Sequence, residues 1–329
     1  MNASENAIIV AGPTCSGKSA LALHLAKLCC GTVINADSMQ VYHDLHILTA
    51  RPAAEDEAAV PHRLYGVLEA SQAGSVAWWR QQALSEMQRC WQEGRVPILC
   101  GGTGMYLRSL TDGLVEVPDP GEEARREART LLEEIGAPAL YERLLALDPQ
   151  TASRLNPQDS QRIARAWEVR IGTGRGLSSW QEEVALPPAP CRFVSVRLDP
   201  PRDQLRAAIA VRFERMIRVG ALEEVKALLA KKLPPTLPVM RAHGVPELAH
   251  VLNGDSSLEE ATEMAVRATG RYTRRQATWF RHHALGKEGD SIISFHRFDI
   301  NEKLLESEIQ KIENFMLNRI DLSSTGLYT

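Results

Sequence analysis

Short apolar runs alternate with longer segments of helical spacing over the first hundred residues of the chain. Four runs predict β-strands, at residues 7–11, 32–36, 63–67 and 96–100. Such alternation is typical of an α/β fold, in which helices cover both faces of a parallel sheet. Because sites in these sheets lie at the carboxyl ends of the strands, the residues Gly12, Asp37 and Gly101 are candidate site positions.

The pattern changes after a proline-rich turn at residues 118–121. The stretch from 122 to about 180 is charged, has Leu and Ala at helical spacing and lacks strand-like runs, which predicts a helical insertion. An apolar run at 193–198 predicts a strand that rejoins the sheet. The predicted organisation is a first part of the core at 1–120, an insertion at 121–186, a second part of the core with basic helices at 187–286, and a C-terminal tail with a terminal helix at 287–329.

Composition and charge are those of a globular protein. The chain has 329 residues with 38 Lys+Arg and 41 Asp+Glu, which gives a formal net charge of −3. It has no run of about 18 apolar residues, so we expect no membrane-spanning helix, and the start has no basic, apolar leader, so we expect a cytoplasmic protein. The positive charge is unevenly placed, because residues 267–283 contain five arginines and no carboxylate. Such a cluster favours contact with nucleic acid.

The segment Gly12-Pro13-Thr14-Cys15-Ser16-Gly17-Lys18-Ser19 carries the clearest chemical signal. It fits the phosphate-loop pattern G-x-x-x-x-G-K-S/T, and it lies between a predicted strand and a predicted helix. Backbone N–H groups of such a loop surround a phosphate, Lys18 adds a positive charge, and the hydroxyl of Ser19 can ligate Mg²⁺. The loop predicts a polyphosphate ligand without identifying it. An ATP-binding kinase or NTPase is one interpretation, with Asp37 or Asp199 as the carboxylate that helps to hold Mg²⁺.

Two further motifs follow predicted strands. The first is Asp37-Ser38-Met39-Gln40-Val41-Tyr42. A carboxylate at a strand end beside a phosphate loop can act as a general base, but Asp37 and Ser38 could equally cap a following turn or helix. The second is Gly101-Gly102-Thr103-Gly104-Met105-Tyr106, which supplies glycine backbone and one hydroxyl at another strand end.

Taken together, these motifs resemble those of the bacterial tRNA dimethylallyltransferase (tRNA isopentenyltransferase) family. The resemblance runs from about residue 7 to 283. It includes the further segments 156–166, 168–169, 212–213, 240–242 and 271–281, together with Gly220. It implies a P-loop NTPase-like α/β core with a helical insertion. The activity implied is transfer of a dimethylallyl group from dimethylallyl diphosphate to N6 of the adenosine 3′-adjacent to the tRNA anticodon, with Mg²⁺ as cofactor. It also implies a monomer.

The resemblance assigns roles to individual residues. Asp37 would accept the N6 proton, and Thr103 would hold the geometry of that proton transfer or the flipped base. Lys18 with Mg²⁺ at Ser19 would neutralise the departing diphosphate. The implied diphosphate-binding residues are Gly12, Pro13, Thr14, Cys15, Ser16, Gly17, Lys18, Ser19 and Arg212. The implied tRNA-binding residues are Asp37, Ser38, Met39, Gln40, Thr103, Arg125, Gln161, Arg162, Ile163, Ala164, Arg165 and Arg241.

Two alternatives to this function stay open at the level of sequence. One is an adenylate isopentenyltransferase that acts on free AMP or ADP, and the other is the kinase or NTPase. The insertion with Arg162 and Arg165 and the late arginine cluster favour tRNA, because a mononucleotide would leave them without a ligand. Charge pattern alone would describe Arg162 and Arg165 as a solvated helix face. At Val245 the sequence lacks the aromatic residue that the family usually has after Gly244.

Overall fold

Six parallel strands form one sheet, in the order β3-β2-β4-β1-β5-β6, in the computed structural model. The structure describes residues 5–183, 186–298 and 306–320. The strands are β1 (Asn6–Ala11), β2 (Gly31–Asn35), β3 (His62–Arg63), β4 (Val96–Gly101), β5 (Arg192–Leu198) and β6 (Ser291–Ser294). The predicted parallel sheet is therefore confirmed.

The central strands are buried on both faces, which explains their continuous apolar sequences. In β1, Ile8 pairs with Ile98 of β4 on one side and with Val194 of β5 on the other. Successive side chains of β1 point to opposite faces of the sheet, so Ile9 packs in one hydrophobic core and Ile8 in a second.

Helices cover both faces. The helices within residues 1–111 and 189–329 are α1 (Lys18–Leu28), α2 (Ala54–Ala59), α3 (Val76–Gln92), α4 (Gly104–Thr111), α9 (Arg202–Arg218), α10 (Ala221–Ala230), α11 (Val245–Asn253), α12 (Leu258–His282) and α13 (Glu306–Leu317), with a 3₁₀ turn at Pro238–Arg241. Trp79 of α3 and Phe280 of α12 belong to the first core. Leu25 of α1 and Ile312 of α13 belong to the second. None of the helices in the described part of the chain is long and apolar enough to cross a membrane.

The chain divides into two compact units, residues 1–111 with 189–329 and residues 112–188. Unit 2, the second of these, contains α5 (Gly121–Leu147), α6 (Pro149–Ala152), α7 (Ser160–Thr173) and α8 (Leu177–Gln181). Its core includes Leu140, Leu144 and Ile163. It is wider than the predicted insertion at 121–186, because Leu114 and Leu186 form an antiparallel bridge that adds the preceding residues.

Two sequence-based expectations about the strands need correction. The run at 63–67 is not a full strand, since β3 is limited to two residues and Leu64 and Gly66 adopt left-handed backbone conformations that turn the chain away. The segment 287–329 is more than a tail, because β6 within it pairs with β5 as the sixth strand. The terminal helix is present as α13. Residues 1–4, 299–305 and 321–329, on which parts of these predictions fall, lie outside the described residues.

The second core gives a test of the packing of α1. Leu25 is 1% exposed, whereas Leu28 on the same helix is 37% exposed. We expect Leu25→Ala to lower the free energy of unfolding by about 2–5 kcal/mol, because it removes buried methyl groups and leaves a cavity. Leu28→Ala is the matched control and should cost less than about 1 kcal/mol. Urea unfolding followed by circular dichroism measures both, and equal losses would contradict this packing.

Candidate active site

The phosphate loop lies between the carboxyl end of β1 and the first residue of α1. Gly17 stands at the N-cap of α1 with φ 89°, a left-handed conformation that favours glycine. A Cβ at Gly17 would lie 2.0 Å from the carbonyl oxygen of Phe298. The backbone N–H of Phe298 donates to the carbonyl of Ser16 at 2.9 Å. The loop is thus fixed from outside by a distant segment of the same unit, and both conformation and space require glycine at position 17.

The loop contains a buried polar atom that fits an anionic ligand. Ser16 is fully buried, and its Oγ has no hydrogen-bond partner among the described residues. A buried hydroxyl without a partner is costly unless a ligand satisfies it. At the start of an eleven-residue helix, the backbone N–H groups and the helix dipole add positive potential. These features together suit a phosphate group.

Lys18 and Ser19 lie near the end of the neighbouring strand β4. Burial raises the pKa of the Cys100 thiol in β4 to about 11, while the charge of Lys18 and a hydrogen bond with Ser19 act in the opposite direction. Lys18 is itself buried, and Ser19 is exposed. The described residues contain no group of three or more His, Cys, Asp or Glu that could hold a metal ion.

Arg212 of α9, which the resemblance implies as a diphosphate-binding residue, lies beside the same loop. Its Nη1 lies 3.8 Å from the sulfur of Cys15, and its Nη2 donates to the carbonyl of Thr49 at 3.5 Å. Asp199, the second carboxylate considered for Mg²⁺, is engaged elsewhere, because Nε of Arg281 lies 3.2 Å from its Oδ2.

The backbone at Asp37 is fixed by the side chain of Asn35, the buried last residue of β2. The Oδ1 of Asn35 accepts from the N–H of Asp37 at 2.8 Å, and its Nδ2 donates to the carbonyls of Asp37 and Leu64 at 3.0 Å. The carboxylate of Asp37 accepts from the N–H of Met39 at 3.0 Å. Asp37 does cap the following turn, but it is only half-buried and makes no ion pair among the described residues, so the carboxylate is partly accessible to a substrate.

Thr103 holds the segment that carries Asp37. The N–H of Thr103 donates to the carbonyl of Ala36 at 3.1 Å. Its Oγ1 accepts from the N–H of Ser38 at 2.9 Å and donates to the Ser38 hydroxyl at 3.3 Å. Gly101, two residues before Thr103, has no room for a side chain, because a Cβ there would lie 2.0 Å from the carbonyl oxygen of Ala36. The ends of β2 and β4 therefore meet at the candidate base.

Three residues that are not among the predicted site residues, Gln276, Tyr272 and His243, lie near the phosphate loop and Asp37. The amide of Gln276 accepts from the N–H of Thr14 and donates to the carbonyl of Gly102, both at 2.9 Å. Burial raises the pKa of the Tyr272 hydroxyl, and side-chain hydrogen bonds with Gln276 and Thr103 oppose that shift. The ring centroid of His243 lies 4.9 Å from that of Tyr272. Gln276 and Tyr272 belong to the quoted segment 271–281, whose arginines dominate its sequence signal.

His243 is an uncharged neighbour of the candidate base near neutral pH. Burial is the main cause that lowers its pKa, and the positive charges of Arg275 and Arg271 act in the same direction. The negative charges of Glu247 and Asp37 raise it and only partly compensate. His243 is therefore neutral at pH 7, and protonation below its lowered pKa would add a positive charge beside Asp37.

The remaining predicted residues differ in accessibility. Gln40 is half-buried, and its Nε2 donates to the carbonyls of Thr49 and Ala50 at 2.8 and 3.1 Å, so its amide supports a loop. Met39 packs against the first core, and Arg241 is exposed. Gln40 and Met39 are thus partly engaged in structure, whereas Arg241 is exposed to solvent.

The residues of unit 2 fall into exposed and buried groups. Gln161 and Arg162 are exposed on α7, and Arg165 is half-buried and paired with Glu168 at 3.3 Å. Arg125 of α5 pairs with Asp119 and Glu122, both at 2.7 Å, and Ala164 is half-buried. Ile163 is fully buried in the core of unit 2. Its side chain is unavailable to RNA, because the helical period turns position 163 inward, so the predicted tRNA contact there does not extend to the side chain.

Comparison with known proteins assigns the family. The IPP transferase family matches residues 40–283. This chain belongs to that family. It is 67% identical over 320 residues to the tRNA dimethylallyltransferase of Gluconobacter oxydans, covering 97% of this chain and 96% of the relative. It is 60% identical over 315 residues to the tRNA dimethylallyltransferase of Gluconacetobacter diazotrophicus, covering 96% and 95%. The resemblance stated from the sequence motifs is confirmed.

Solved structures of the family share the fold. A full-length tRNA isopentenylpyrophosphate transferase from Bacillus halodurans matches with a TM-score of 0.67 and 30% identity, covering 96% of both chains. A eukaryotic dimethylallyltransferase acting on tRNA matches with a TM-score of 0.76 and 26% identity, covering 96% of this chain and 81% of that one. The expected P-loop-like α/β core is thereby confirmed.

The phosphate loop can be tested by direct binding. Lys18→Ala removes a buried positive charge beside the loop, so we expect inorganic diphosphate with Mg²⁺ to bind about 10- to 100-fold more weakly, as for loss of a charged hydrogen bond. Lys27→Ala, on the exposed face of α1, is the matched control. Isothermal titration calorimetry measures both, and unchanged affinity in Lys18→Ala would remove Lys18 from the ligand site.

Proposed function

We propose that this enzyme transfers a dimethylallyl group from dimethylallyl diphosphate to N6 of the adenosine 3′-adjacent to the anticodon in tRNA. The products are N6-isopentenyladenosine and diphosphate. One observation carries the proposal: a phosphate loop and a positioned carboxylate, Asp37, lie at one sheet edge and are linked through Gln276 and Thr103. The names of the 67% and 60% identical relatives support the same reaction.

Charge separation at the diphosphate is the first requirement of this reaction. As the bond between the allylic carbon and the diphosphate oxygen breaks, the bonding electrons leave with diphosphate. Lys18, Arg212, the hydroxyl of Ser16 and the N-terminus of α1 are placed to stabilise the accumulating negative charge. Mg²⁺, when bound, supplies further positive charge to the diphosphate, and Ser19 is the residue that would hold it.

Proton transfer at the acceptor is the second requirement. The N6 nitrogen of adenosine forms the new bond to carbon and must lose one proton, which the carboxylate of Asp37 accepts. Asn35 and Thr103 hold the backbone around Asp37, so the carboxylate is oriented before the substrates arrive. The low pKa of His243 keeps it uncharged near neutral pH, so it does not compete as a cation for the Asp37 carboxylate.

Exposed arginines favour RNA over a free nucleotide. On α12, Arg271, Arg274 and Arg275 are exposed and make no ion pair in the described ranges. Arg162 is exposed on α7 of unit 2, where its Nε lies 3.4 Å from Oδ2 of Asp159. Arginines of this kind supply phosphate contacts along a nucleic acid backbone. The acceptor adenosine must leave its stack to reach Asp37, as bases do in other nucleic-acid-modifying enzymes. Because tRNA is the acceptor, we place the enzyme in the cytoplasm, and we expect it to act as a monomer.

The acceptor is identified by a parallel assay. Purified protein is incubated with Mg²⁺ and dimethylallyl diphosphate, with unmodified tRNA, AMP or ADP as acceptor, and nucleosides are analysed by mass spectrometry. We expect addition of C5H8 to adenosine in tRNA alone. Product on AMP or ADP alone would assign an adenylate isopentenyltransferase, and ATP hydrolysis without prenyl transfer would assign an NTPase.

Replacement of the candidate base gives the clearest kinetic test. Asp37→Asn keeps the size of the side chain but cannot accept the N6 proton, so we expect kcat to fall about 10²- to 10⁴-fold. Asp203→Asn, an exposed carboxylate of α9, is the control and should leave kcat unchanged. Steady-state measurements with saturating tRNA and dimethylallyl diphosphate provide kcat. A wild-type rate in Asp37→Asn would remove Asp37 from the mechanism.

The role of α7 is tested on RNA affinity. Arg162→Ala with Arg165→Ala removes two positive charges from one face of α7, so we expect KM for tRNA to rise about tenfold while KM for dimethylallyl diphosphate stays constant. The rise should shrink at higher salt, since phosphate contacts are salt-dependent. Arg143→Ala, an exposed arginine of α5, is the control within the same unit. An effect confined to dimethylallyl diphosphate would contradict the assignment.

A further inference from the structure

Gln276 connects two loops that are distant in sequence. Its side chain is 5% exposed, yet it comes from α12, most of whose polar residues face solvent. The Oε1 accepts from the N–H of Thr14 in the phosphate loop at 2.9 Å. The Nε2 donates to the carbonyl of Gly102, which follows β4, at 2.9 Å. One amide therefore uses both its acceptor and its donor to join the ends of β1 and β4.

The backbone around the Gln276 amide has no space for side chains at Gly102 and Gly104. A Cβ at Gly102 would lie 2.2 Å from the Nε2 of Gln276. A Cβ at Gly104 would lie 2.2 Å from the ring of Trp279, three residues further along α12. The two glycines thus allow α12 to approach the strand end closely enough for the Gln276 amide to reach across. Gly102 and Gly104 therefore allow close packing against α12 as well as flexibility of the backbone.

The contacts continue to the candidate base. Thr103, directly after Gly102, accepts from the N–H of Ser38 at 2.9 Å, next to Asp37. Tyr272, one turn before Gln276 on α12, packs its ring against that of His243, with the ring centroids 4.9 Å apart. Gln276 is therefore hydrogen-bonded to the phosphate loop and to Gly102, and the next residue, Thr103, is hydrogen-bonded to the segment that carries the carboxylate.

We propose that Gln276 is a positioning residue that couples occupation of the phosphate loop to the placement of Thr103 and Asp37. This rests on the proposed function. Gln276 does not touch the reacting atoms. It fixes the distance between the diphosphate leaving group and the proton acceptor, a distance on which the rate depends steeply. A residue that acted only on stability would not change the two substrates' kinetic constants differently.

The first test replaces the amide by a side chain of similar size without its hydrogen bonds. For Gln276→Met we expect KM for dimethylallyl diphosphate to rise about tenfold and kcat to fall about tenfold, with KM for tRNA and Tm near the wild-type values. The same variant should bind inorganic diphosphate with Mg²⁺ about tenfold more weakly by calorimetry, a readout that needs no catalysis. Thr273→Val is the control, because Thr273 is buried on the same helix and its hydroxyl, among the described residues, bonds only within that helix, to the carbonyl of Gly270.

The second test uses Gln276→Glu and pH. A protonated carboxyl has one donor and one acceptor, as the amide has, and can bond to both Thr14 and Gly102. Burial raises the pKa of such a group, and once ionised it can no longer donate to Gly102 and repels diphosphate. The kcat/KM of Gln276→Glu relative to wild type should therefore rise about tenfold as pH is lowered from about 8.5 to 6. The same ratio for Thr273→Val should be flat.

The outcomes separate this proposal from the proposed function. Wild-type prenyl transfer, with the constants of Gln276→Met within about twofold of wild type and a flat profile for Gln276→Glu, would overturn the coupling role. Absence of prenyl transfer in the wild type would overturn the proposed function instead. In that case the calorimetric comparison of Gln276→Met with Thr273→Val still decides whether Gln276 positions the phosphate loop. If Gln276→Met fails to fold, the profile of Gln276→Glu decides.

Discussion

The close approach of β2 and β4 at their carboxyl ends is the constraint on which the site depends. Gly101 lies against the carbonyl of Ala36 with no space for a side chain, so Thr103 can bond to the backbone on both sides of Asp37. Because β1 is the other neighbour of β4, the phosphate loop begins at the next strand end along the same edge. A parallel sheet with this strand order thus brings the candidate anion site and the candidate proton acceptor together before any substrate binds.

The electrostatic arrangement of the edge matches the two charges that the proposed reaction moves. Positive groups, among them Lys18 and Arg212, gather at the phosphate loop, where negative charge accumulates on diphosphate. The carboxylate of Asp37 stands apart from ion pairs in the described ranges, where a proton must be accepted. Opposite charges placed at the two ends of one reacting system stabilise its transition state more than its ground state. Segregation of these charges, rather than any single residue, suits the site to group transfer from a diphosphate.

Much of this arrangement could be predicted from the sequence, because its signals are local. The apolar runs of β1, β2 and β4 and the glycine spacing of the phosphate loop are contiguous patterns. Arg212 was placed by resemblance, and the structure brings it to the loop. The parts that escaped prediction depend on distant contacts. β6 is four residues long and is defined by its pairing with β5. The role of Gln276 depends on its hydrogen bond with Thr14, which lies 262 positions earlier in the sequence. The core position of Ile163 follows from its place in the helical period, and a motif match compares residue identities without regard to that period.

In the proposed reaction, diphosphate and acceptor adenosine meet between the phosphate loop and Asp37. This can be observed in a crystal structure of the full chain with Mg²⁺, a thiolo analogue of dimethylallyl diphosphate and an unmodified anticodon stem-loop. We expect the diphosphate oxygens to lie on the backbone of Gly12–Ser19. We also expect an unstacked adenosine with N6 within hydrogen-bond distance, about 3 Å, of the Asp37 carboxylate. A diphosphate bound away from that loop, or an N6 atom held by another residue with Asp37 facing solvent, would show that the two substrates do not meet there.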